Sequence, residues 1–140
     1  MNKCPITYEP CEYEYSKNGL KKLSRNLKDL KALDYSADEQ RLEAAKRAAK
    51  MSIQGVQPKV SAVLNIQQSK FEIVDLKGKY IIKPQHHTYP QLPENEDVTM
   101  KMASKCEIDT PVHGMVYSKA GTLSYFIKRY DRTGKNKKLH

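Results

Sequence analysis

Apolar residues recur at helical spacing over the first third of the chain. Four leucines three or four residues apart predict an amphipathic helix: Leu20, Leu23, Leu27 and Leu30. Ser36 and Glu39 have the spacing of a capping box, in which each side chain bonds the backbone N–H of the other residue. We therefore expect a second helix from about residue 37 to residue 50, with Leu42, Ala45 and Ala49 as a narrow apolar face. The alternation of Tyr and Glu before Ser16 indicates an edge strand or an ordered arm.

From Val60 onward the apolar period changes to two. The alternation of Val60, Ala62, Leu64 and Ile66 with Ser61 and Asn65 predicts a half-buried strand. Further short apolar runs are bounded by turn residues and predict four more strands, at residues 71–74, 80–83, 111–117 and 122–130. We expect the first three strands to form an antiparallel meander. The last two would form a hairpin around Gly121.

One more helix is expected between the third and fourth strands. Val98, Met102 and Cys106 lie at helical spacing and predict an apolar stripe that faces the sheet. Together the elements predict an α+β fold, in which an antiparallel sheet of about five short strands carries one packed helix and follows an N-terminal helical segment.

The composition is typical of one small, polar domain. The 140 residues are 39% hydrophobic and include no Trp, and no apolar run reaches the roughly 18 residues of a transmembrane helix. No apolar segment of a signal peptide follows Met1, so we expect a cytoplasmic protein without a membrane partner. The three cysteines form no CxxC pair, which argues against a disulfide framework or a zinc site. Adjacent strand residues point to opposite sides, so we assign no metal to His86 and His87 and expect them in a polar loop before Pro90.

The net charge of +9 is concentrated in two segments of the chain. Residues 17–50 contain ten basic and five acidic residues, and residues 128–138 contain six basic residues and one acidic residue. Either segment could attract phosphates, nucleic acid or an acidic partner.

Candidate chemistry lies in four segments that follow one another along the chain. The first is the loop Ser52-Ile-Gln-Gly-Val-Gln-Pro-Lys59, where Gly55 lets the backbone approach an anion. The second ends at Lys83, whose ammonium needs an anionic partner because its strand neighbours are apolar. The third is the helix start around Glu96, and the fourth is the segment Ile-Lys-Arg-Tyr-Asp-Arg that begins at residue 127.

The sequence contains more than one candidate for the acidic partner of Lys83. Glu96 lies thirteen residues beyond Lys83 and is the first candidate. Glu94 and Asp97 are rivals, because acidic residues are favoured at helix N-termini for other reasons.

In their order, spacing and residue identities these four segments closely resemble the HipA-like serine/threonine kinase toxins of bacterial toxin–antitoxin systems. They are most similar to the short HipT type. The resemblance extends over roughly residues 19–140. It implies a kinase-like N-lobe at residues 51–130 that binds ATP, preceded by an arm and helical segment at residues 1–50. The loop would cover the phosphates, Lys83 would contact them, and Glu96 would hold Lys83.

The resemblance assigns further site residues. The ATP-contacting loop residues would be Gln54, Gly55, Val56, Gln57, Pro58 and Lys59. The adenine would be held by backbone groups of Lys128, Arg129 and Tyr130. Ser52 would be the autophosphorylation site, where roughly two added negative charges would repel ATP.

The catalytic half of such a kinase is not visible in the sequence. No HRD-like or DFG triplet occurs, so we assign no catalytic residue and expect the Mg²⁺ ligands in a missing C-lobe, toward which residues 131–140 would lead. We expect the chain to be inactive alone, as a fragment, a split gene product or a truncated reading frame. Expected partners are this C-lobe, antitoxin proteins of the same operon and an aminoacyl-tRNA synthetase as substrate, with DNA reached only through an antitoxin.

A non-catalytic function remains the alternative. The basic segments are also compatible with an interaction module that contacts an antitoxin or nucleic acid. Lys83 and the Ser52 loop distinguish the two hypotheses, since a binding module would need neither.

Overall fold

The computed structural model describes residues 2–48 and 57–129. The strands in this part of the chain are β1 (Asn2–Lys3), β2 (Pro10–Cys11), β3 (Val60–Asn65), β4 (Lys70–Ile73), β5 (Tyr80–Lys83), β6 (His113–Tyr117) and β7 (Leu123–Lys128). The helices are α1 (Lys17–Leu23), α2 (Ala37–Ala48) and α3 (Leu92–Lys105), and a short 3₁₀ turn, Lys119–Gly121, joins β6 to β7. None of the helices in these two ranges is both long and apolar enough to cross a membrane.

The main sheet has five antiparallel strands in the order β4-β3-β5-β7-β6. This arrangement, with α3 packed on it, confirms the predicted α+β fold and is compatible with a kinase-like N-lobe. In the strand register, Val60 of β3 is paired with Ile82 of β5, and Lys83 is paired with Tyr125 of β7. Strands β1 and β2 form a separate small hairpin.

The two faces of the sheet are covered by different parts of the chain. Ile82 and Phe126 face one side, where they share one buried cluster with leucines of residues 20–33. Lys83 and Tyr125 face the opposite side, toward α3. The N-terminal segment and the sheet therefore share one hydrophobic core, and α3 covers the other face.

The single long helix predicted from the four leucines is wrong. Helix α1 ends at Leu23, and Ser24 has an extended backbone. Leu27 and Leu30 are buried in non-helical chain. Backbone bonds to distant residues replace the helical ones there, since the N–H of Lys31 donates to the carbonyl of Ser69 at 2.7 Å.

The capping box at the start of α2 is confirmed, but the predicted buried face of this helix is wrong. The N–H of Ser36 donates to Glu39 Oε1 at 3.0 Å, and the N–H of Glu39 donates to Ser36 Oγ at 3.2 Å. Leu42 is 58% exposed, whereas Gln40 is fully buried. An amide tolerates burial only when it is hydrogen-bonded.

The Gln40 amide is bonded at both ends. Its Nε2 donates to the carbonyl of Tyr35 and to Ser118 Oγ, and its Oε1 accepts a bond from Ser124 Oγ. These bonds hold α2 against the β6–β7 hairpin.

Helix α3 also buries a different face from the one predicted. Val98 and Met102 are largely exposed, while Pro93 and Asp97 face inward. A carboxylate can be buried at this position because Asp97 is hydrogen-bonded and ion-paired, as described below.

The outer edge of β6 is covered by the N-terminal segment. The N–H of Met115 donates to the carbonyl of Pro5, and the N–H of Tyr117 donates to the Tyr15 hydroxyl. Farther along, Leu33 pairs with residue 118 as an isolated bridge. An open edge strand exposes unpaired backbone groups, and the N-terminal segment pairs with such groups on β6.

A substitution at Gly114 would test how closely the N-terminal arm (residues 2–15) approaches β6. A Cβ on Gly114 would lie 3.0 Å from Phe126 Cζ and 3.1 Å from the backbone Cα of Ile6, so Gly114→Ala should force the arm away from the sheet. We expect a loss of about 1–3 kcal/mol in the free energy of unfolding, measured by urea denaturation.

The control for this substitution is Gly121→Asn. A side chain at Gly121 would meet open space, and its φ of +88° is strained for any L residue but least for Asn, so this variant should cost only backbone strain and leave the arm in place. An unchanged midpoint for Gly114→Ala would contradict the close approach.

Candidate functional site

An ion pair between β5 and α3 forms the centre of the candidate site. Lys83 Nζ lies 2.9 Å from Glu96 Oε2, and the two side chains are 22% and 26% exposed. Glu94 bonds the side chain of Gln85, and Asp97 bonds Lys101. Of the three acidic candidates, Glu96 is therefore the one that contacts Lys83.

The start of α3 explains how Glu96 reaches this position. Pro93 lies in the first turn, where its missing N–H costs nothing. The preceding Gln91 has φ 61°, and this left-handed residue turns the chain into the helix. Glu96 then lies one turn inside α3, opposite the end of β5.

Gln57, which was predicted as a contact of ATP, is a second partner of Glu96, and sequence reasoning missed this contact. Its Nε2 donates to Glu96 Oε1, so one carboxylate accepts bonds from Lys83 on one oxygen and from Gln57 on the other. The register of β3 and β5 places Gln57, just before β3, near the end of β5. Pairing of the two strands was the signal that could have revealed it.

A cavity of about 320 Å³ adjoins the ion pair between α3 and β7. Its lining is formed by Lys83, Asn95, Glu96, Thr99, Met100, Tyr125 and Ile127. Lys83 Nζ lies 6.0 Å from the centre of the Tyr125 ring. Burial raises the pKa of the Tyr125 hydroxyl, and the charges of Glu96 and Asp97 add to this effect, so the phenol stays neutral. The cavity thus combines apolar walls with the Lys83–Glu96 ion pair.

The other predicted ATP contacts are only partly within the described ranges. Pro58 is half-buried and Lys59 is exposed at the entrance to β3. The N–H groups of Lys128 and Arg129 donate to the carbonyls of Val112 and Lys79, at 2.8 and 2.9 Å. An adenine bound there would have to use groups other than these two donors. The remaining predicted residues lie outside the described residues: Ser52, Gln54, Gly55, Val56 and Tyr130.

The chain that follows Lys83 is held by two helices. Arg41 of α2 donates to the carbonyl of Gln85. The Gln85 amide donates to the Glu94 carboxylate and to the carbonyl of Leu123. Helix α2, the end of β5 and the start of α3 are therefore connected by hydrogen bonds.

A buried polar cluster lies on the other side of α3. Asp97 is fully buried, and Lys101 Nζ lies 3.0 and 3.1 Å from its two oxygens. The Tyr8 hydroxyl donates to Asp97 Oδ2, and Lys101 Nζ lies 4.7 Å from the centre of the Tyr8 ring. Burial raises the pKa of the Tyr8 phenol, and its bond to the Asp97 carboxylate raises it further.

The sequence contained part of the signal for this cluster. Asp97 and Lys101 have the i,i+4 spacing of a helical ion pair. Nothing in the sequence pattern pointed to Tyr8, which comes from the distant N-terminal arm.

His86 and His87 lie in a loop before Pro90, as predicted. Their rings stack at 5.1 Å with planes 9° apart, because both residues lie in the loop after β5 rather than within the strand. In the ranges that the structure covers, no group of three or more His, Cys, Asp or Glu side chains could hold a metal ion.

Comparison with known proteins adds a family relationship. Residues 51–140 match the family described as "HipA-like C-terminal domain". The chain is also 33% identical, over 150 aligned positions, to a Haemophilus influenzae protein described as "Putative kinase". That alignment covers all of this chain and 43% of the relative, so the chain spans less than half of the relative's length.

His113, on β6 near Lys101, predicts a pH dependence of stability. Burial lowers the pKa of His113, and its Nδ1 lies 2.8 Å from the Pro111 carbonyl and therefore carries the proton of the neutral ring. Between this lowered pKa and about 6.5, the unfolded chain binds more protons than the folded one. The free energy of unfolding should therefore fall as the pH drops below about 6.5.

Urea unfolding at several pH values between about 5 and 8 measures this dependence. His113→Asn should flatten it, while the exposed control His87→Asn should leave it unchanged. Equal slopes for wild type and His113→Asn would refute the assignment to His113.

Proposed function

Because the chain belongs to the HipA-like family, we propose that its sheet and α3 form the ATP-binding N-lobe of a serine/threonine protein kinase. The observation that carries this proposal is the ion pair between Lys83 and Glu96 beside an open cavity. In protein kinases a strand lysine held by a helix glutamate reaches the α- and β-phosphates of ATP. The relationship to a putative kinase supports the same assignment.

The described residues fit a ligand with an anionic part and an apolar part. Lys83 would supply the positive charge, and Glu96 and Gln57 would hold it in place. Met100, Tyr125 and Ile127 would supply apolar contact. The loop of residues 54–59 would cover the phosphates through backbone N–H groups.

The parts that would carry out phosphate transfer lie in a C-lobe. We propose that Mg²⁺ and the catalytic aspartate belong there, since the sequence has no HRD-like or DFG triplet. This chain would then hold and orient the nucleotide without transferring phosphate itself.

We extend the family relationship to a biological role as a short HipT-type toxin of a toxin–antitoxin system. An aminoacyl-tRNA synthetase would be the protein substrate, and an antitoxin of the same operon would restrain the kinase and connect it to DNA. The protein would act in the cytoplasm.

The second candidate is a basic interaction module. Six basic side chains are exposed along α1 and the chain after it: Lys17, Lys21, Lys22, Arg25, Lys28 and Lys31. Asp29 is the one acidic residue among positions 17–31. Such a surface favours an anionic partner, and its function would not depend on Lys83.

Nucleotide binding tests the first proposal directly. Lys83→Met removes the cation that would contact the phosphates, and we expect ATP affinity to fall roughly tenfold or more. Isothermal titration with MgATP measures the change, and the melting temperature checks that the fold persists. Lys79→Met is the matched control, because Lys79 is exposed and lies outside the lining of the cavity. Equal affinities for the two variants would contradict the phosphate contact.

Phosphate transfer tests the division of labour between the lobes. The 140-residue chain with labelled MgATP should incorporate no label. When the chain is joined to the C-terminal remainder of a longer relative, label should appear on Ser52, as phosphopeptide mapping would detect. Ser52→Ala should remove that label and leave ATP binding largely unchanged, because a neutral hydroxyl contributes little net affinity.

Two results would overturn parts of this account. Autophosphorylation by the purified chain alone would show that a catalytic residue lies within it. A self-phosphorylating assembled kinase with unmodified Ser52 would exclude that serine.

A further inference from the structure

One side chain connects the N-terminal arm to α3. Tyr8 lies in the turn between β1 and β2, and its φ of 69° is in the left-handed region, which is unusual for an aromatic residue. The turn is closed by two backbone bonds of 2.8 Å between Cys4 and residues 8 and 9. This strained turn aims the Tyr8 ring at Asp97, eighty-nine positions later in the chain.

The base of the arm is firmly attached to the sheet. Cys4 and Ile6 are buried, and the Pro5 carbonyl accepts the N–H of Met115. The position of Tyr8 is therefore fixed relative to β6, and any group that Tyr8 holds is fixed relative to the sheet as well.

Asp97 and Glu96 are neighbours on α3 that face different directions. Successive helical residues are about 100° apart. Asp97 points to Tyr8 and Lys101, while Glu96 points to Lys83. A small rotation or shift of α3 would disturb both contacts together, because the helix backbone between the two residues is rigid.

We propose that Tyr8 and Asp97 are positioning residues for the Lys83–Glu96 ion pair. Docking of the arm through the Tyr8 hydroxyl holds α3 in the rotation that presents Glu96 to Lys83. The arm lies outside residues 51–140, which match the family, so this control is supplied by a separate segment of the chain. The consequence for nucleotide affinity rests on the proposed function, whereas the effect on the ion pair does not.

Tyr8→Phe is the informative substitution. It removes one oxygen atom and keeps the ring under Lys101, so the arm retains its packing while the helix loses its bond to the arm. Tyr13→Phe makes the same chemical change on a tyrosine of the same segment that is 78% exposed, and it is the matched control.

The first measurement needs no nucleotide. The full chain is treated with an amine-reactive reagent, and mass spectrometry gives the labelling rate of Lys83 relative to exposed Lys79. Loss of the Glu96 contact should expose Lys83, so Tyr8→Phe should raise this ratio roughly fivefold. Tyr13→Phe should leave the ratio unchanged.

A double variant separates positioning from a general loss of stability. If Tyr8 acts through Glu96, the ratio for Tyr8→Phe combined with Glu96→Gln should equal the ratio for Glu96→Gln alone. If the two substitutions acted independently, their fold-changes in the labelling ratio would instead multiply. An unchanged ratio in Tyr8→Phe, or multiplying effects in the double variant, would overturn the proposal.

The second measurement connects this device to the nucleotide. ATP affinity should fall roughly fivefold in Tyr8→Phe and should not fall further when the change is made in a Glu96→Gln background. If the wild-type chain bound no ATP while the labelling results held, the proposed function would fail and the positioning role would stand. If ATP bound in a Lys83-dependent manner while Tyr8→Phe left the labelling ratio unchanged, the reverse would hold.

Discussion

The Glu96 carboxylate is the point on which the geometry of the candidate site depends. It satisfies a lysine from the end of β5 and an amide from the chain entering β3, and it is itself carried by α3. A partly buried cation at a strand end is stable only when a counter-charge is held in place. Three segments that are distant in sequence must therefore be positioned together. If the site binds ATP as proposed, the ability of Lys83 to contact the phosphates would depend on the correct packing of all three segments.

Polar contacts of buried or half-buried side chains connect helices α2 and α3 to the sheet and to the arm. Gln40 attaches α2 to the β6–β7 hairpin, Gln85 attaches the start of α3 to the end of β5, and Asp97 attaches α3 to the arm. Apolar packing is tolerant of small slides, whereas hydrogen bonds have narrow distance and angular limits. Buried polar groups can thus select one arrangement from several that bury similar area. This is how a small, rather polar chain can still position a site.

The parts of the fold that depend on local sequence could be predicted. The individual strands, the final hairpin and the Ser36 capping box follow from alternation and short-range hydrogen bonding, and the structure contains them. The predicted meander is wrong, because β3 lies between β4 and β5 and pairs with both. The long leucine helix failed because backbone pairing with residues far away outweighed helical spacing.

The buried faces of α2 and α3 failed for a related reason. A hydrophobicity pattern assigns Gln40 and Asp97 to the surface, yet their partners lie 78 and 89 residues away and make burial possible. For the site, the order of the four segments was enough to bring Lys83 and Glu96 into consideration. Gln57 was predicted as a contact of ATP, but its bond to Glu96, like that of Tyr8 to Asp97, could be found only once the register of the strands and the path of the arm were known. Sequence patterns describe neighbouring residues, whereas each of these two contacts joins residues that are far apart in the chain.

The cover on the β6 edge has a consequence for the order in which the molecule is built. The Tyr15 hydroxyl bonds the backbone of Tyr117, 102 residues later. Because synthesis proceeds from the N-terminus, Tyr15 must wait until Tyr117 of β6 has been made before it can reach its final place. Contacts of such long sequence separation slow folding. During synthesis the basic, leucine-rich N-terminal segment would remain without its sheet, and a chaperone or a binding partner could meet it in that interval.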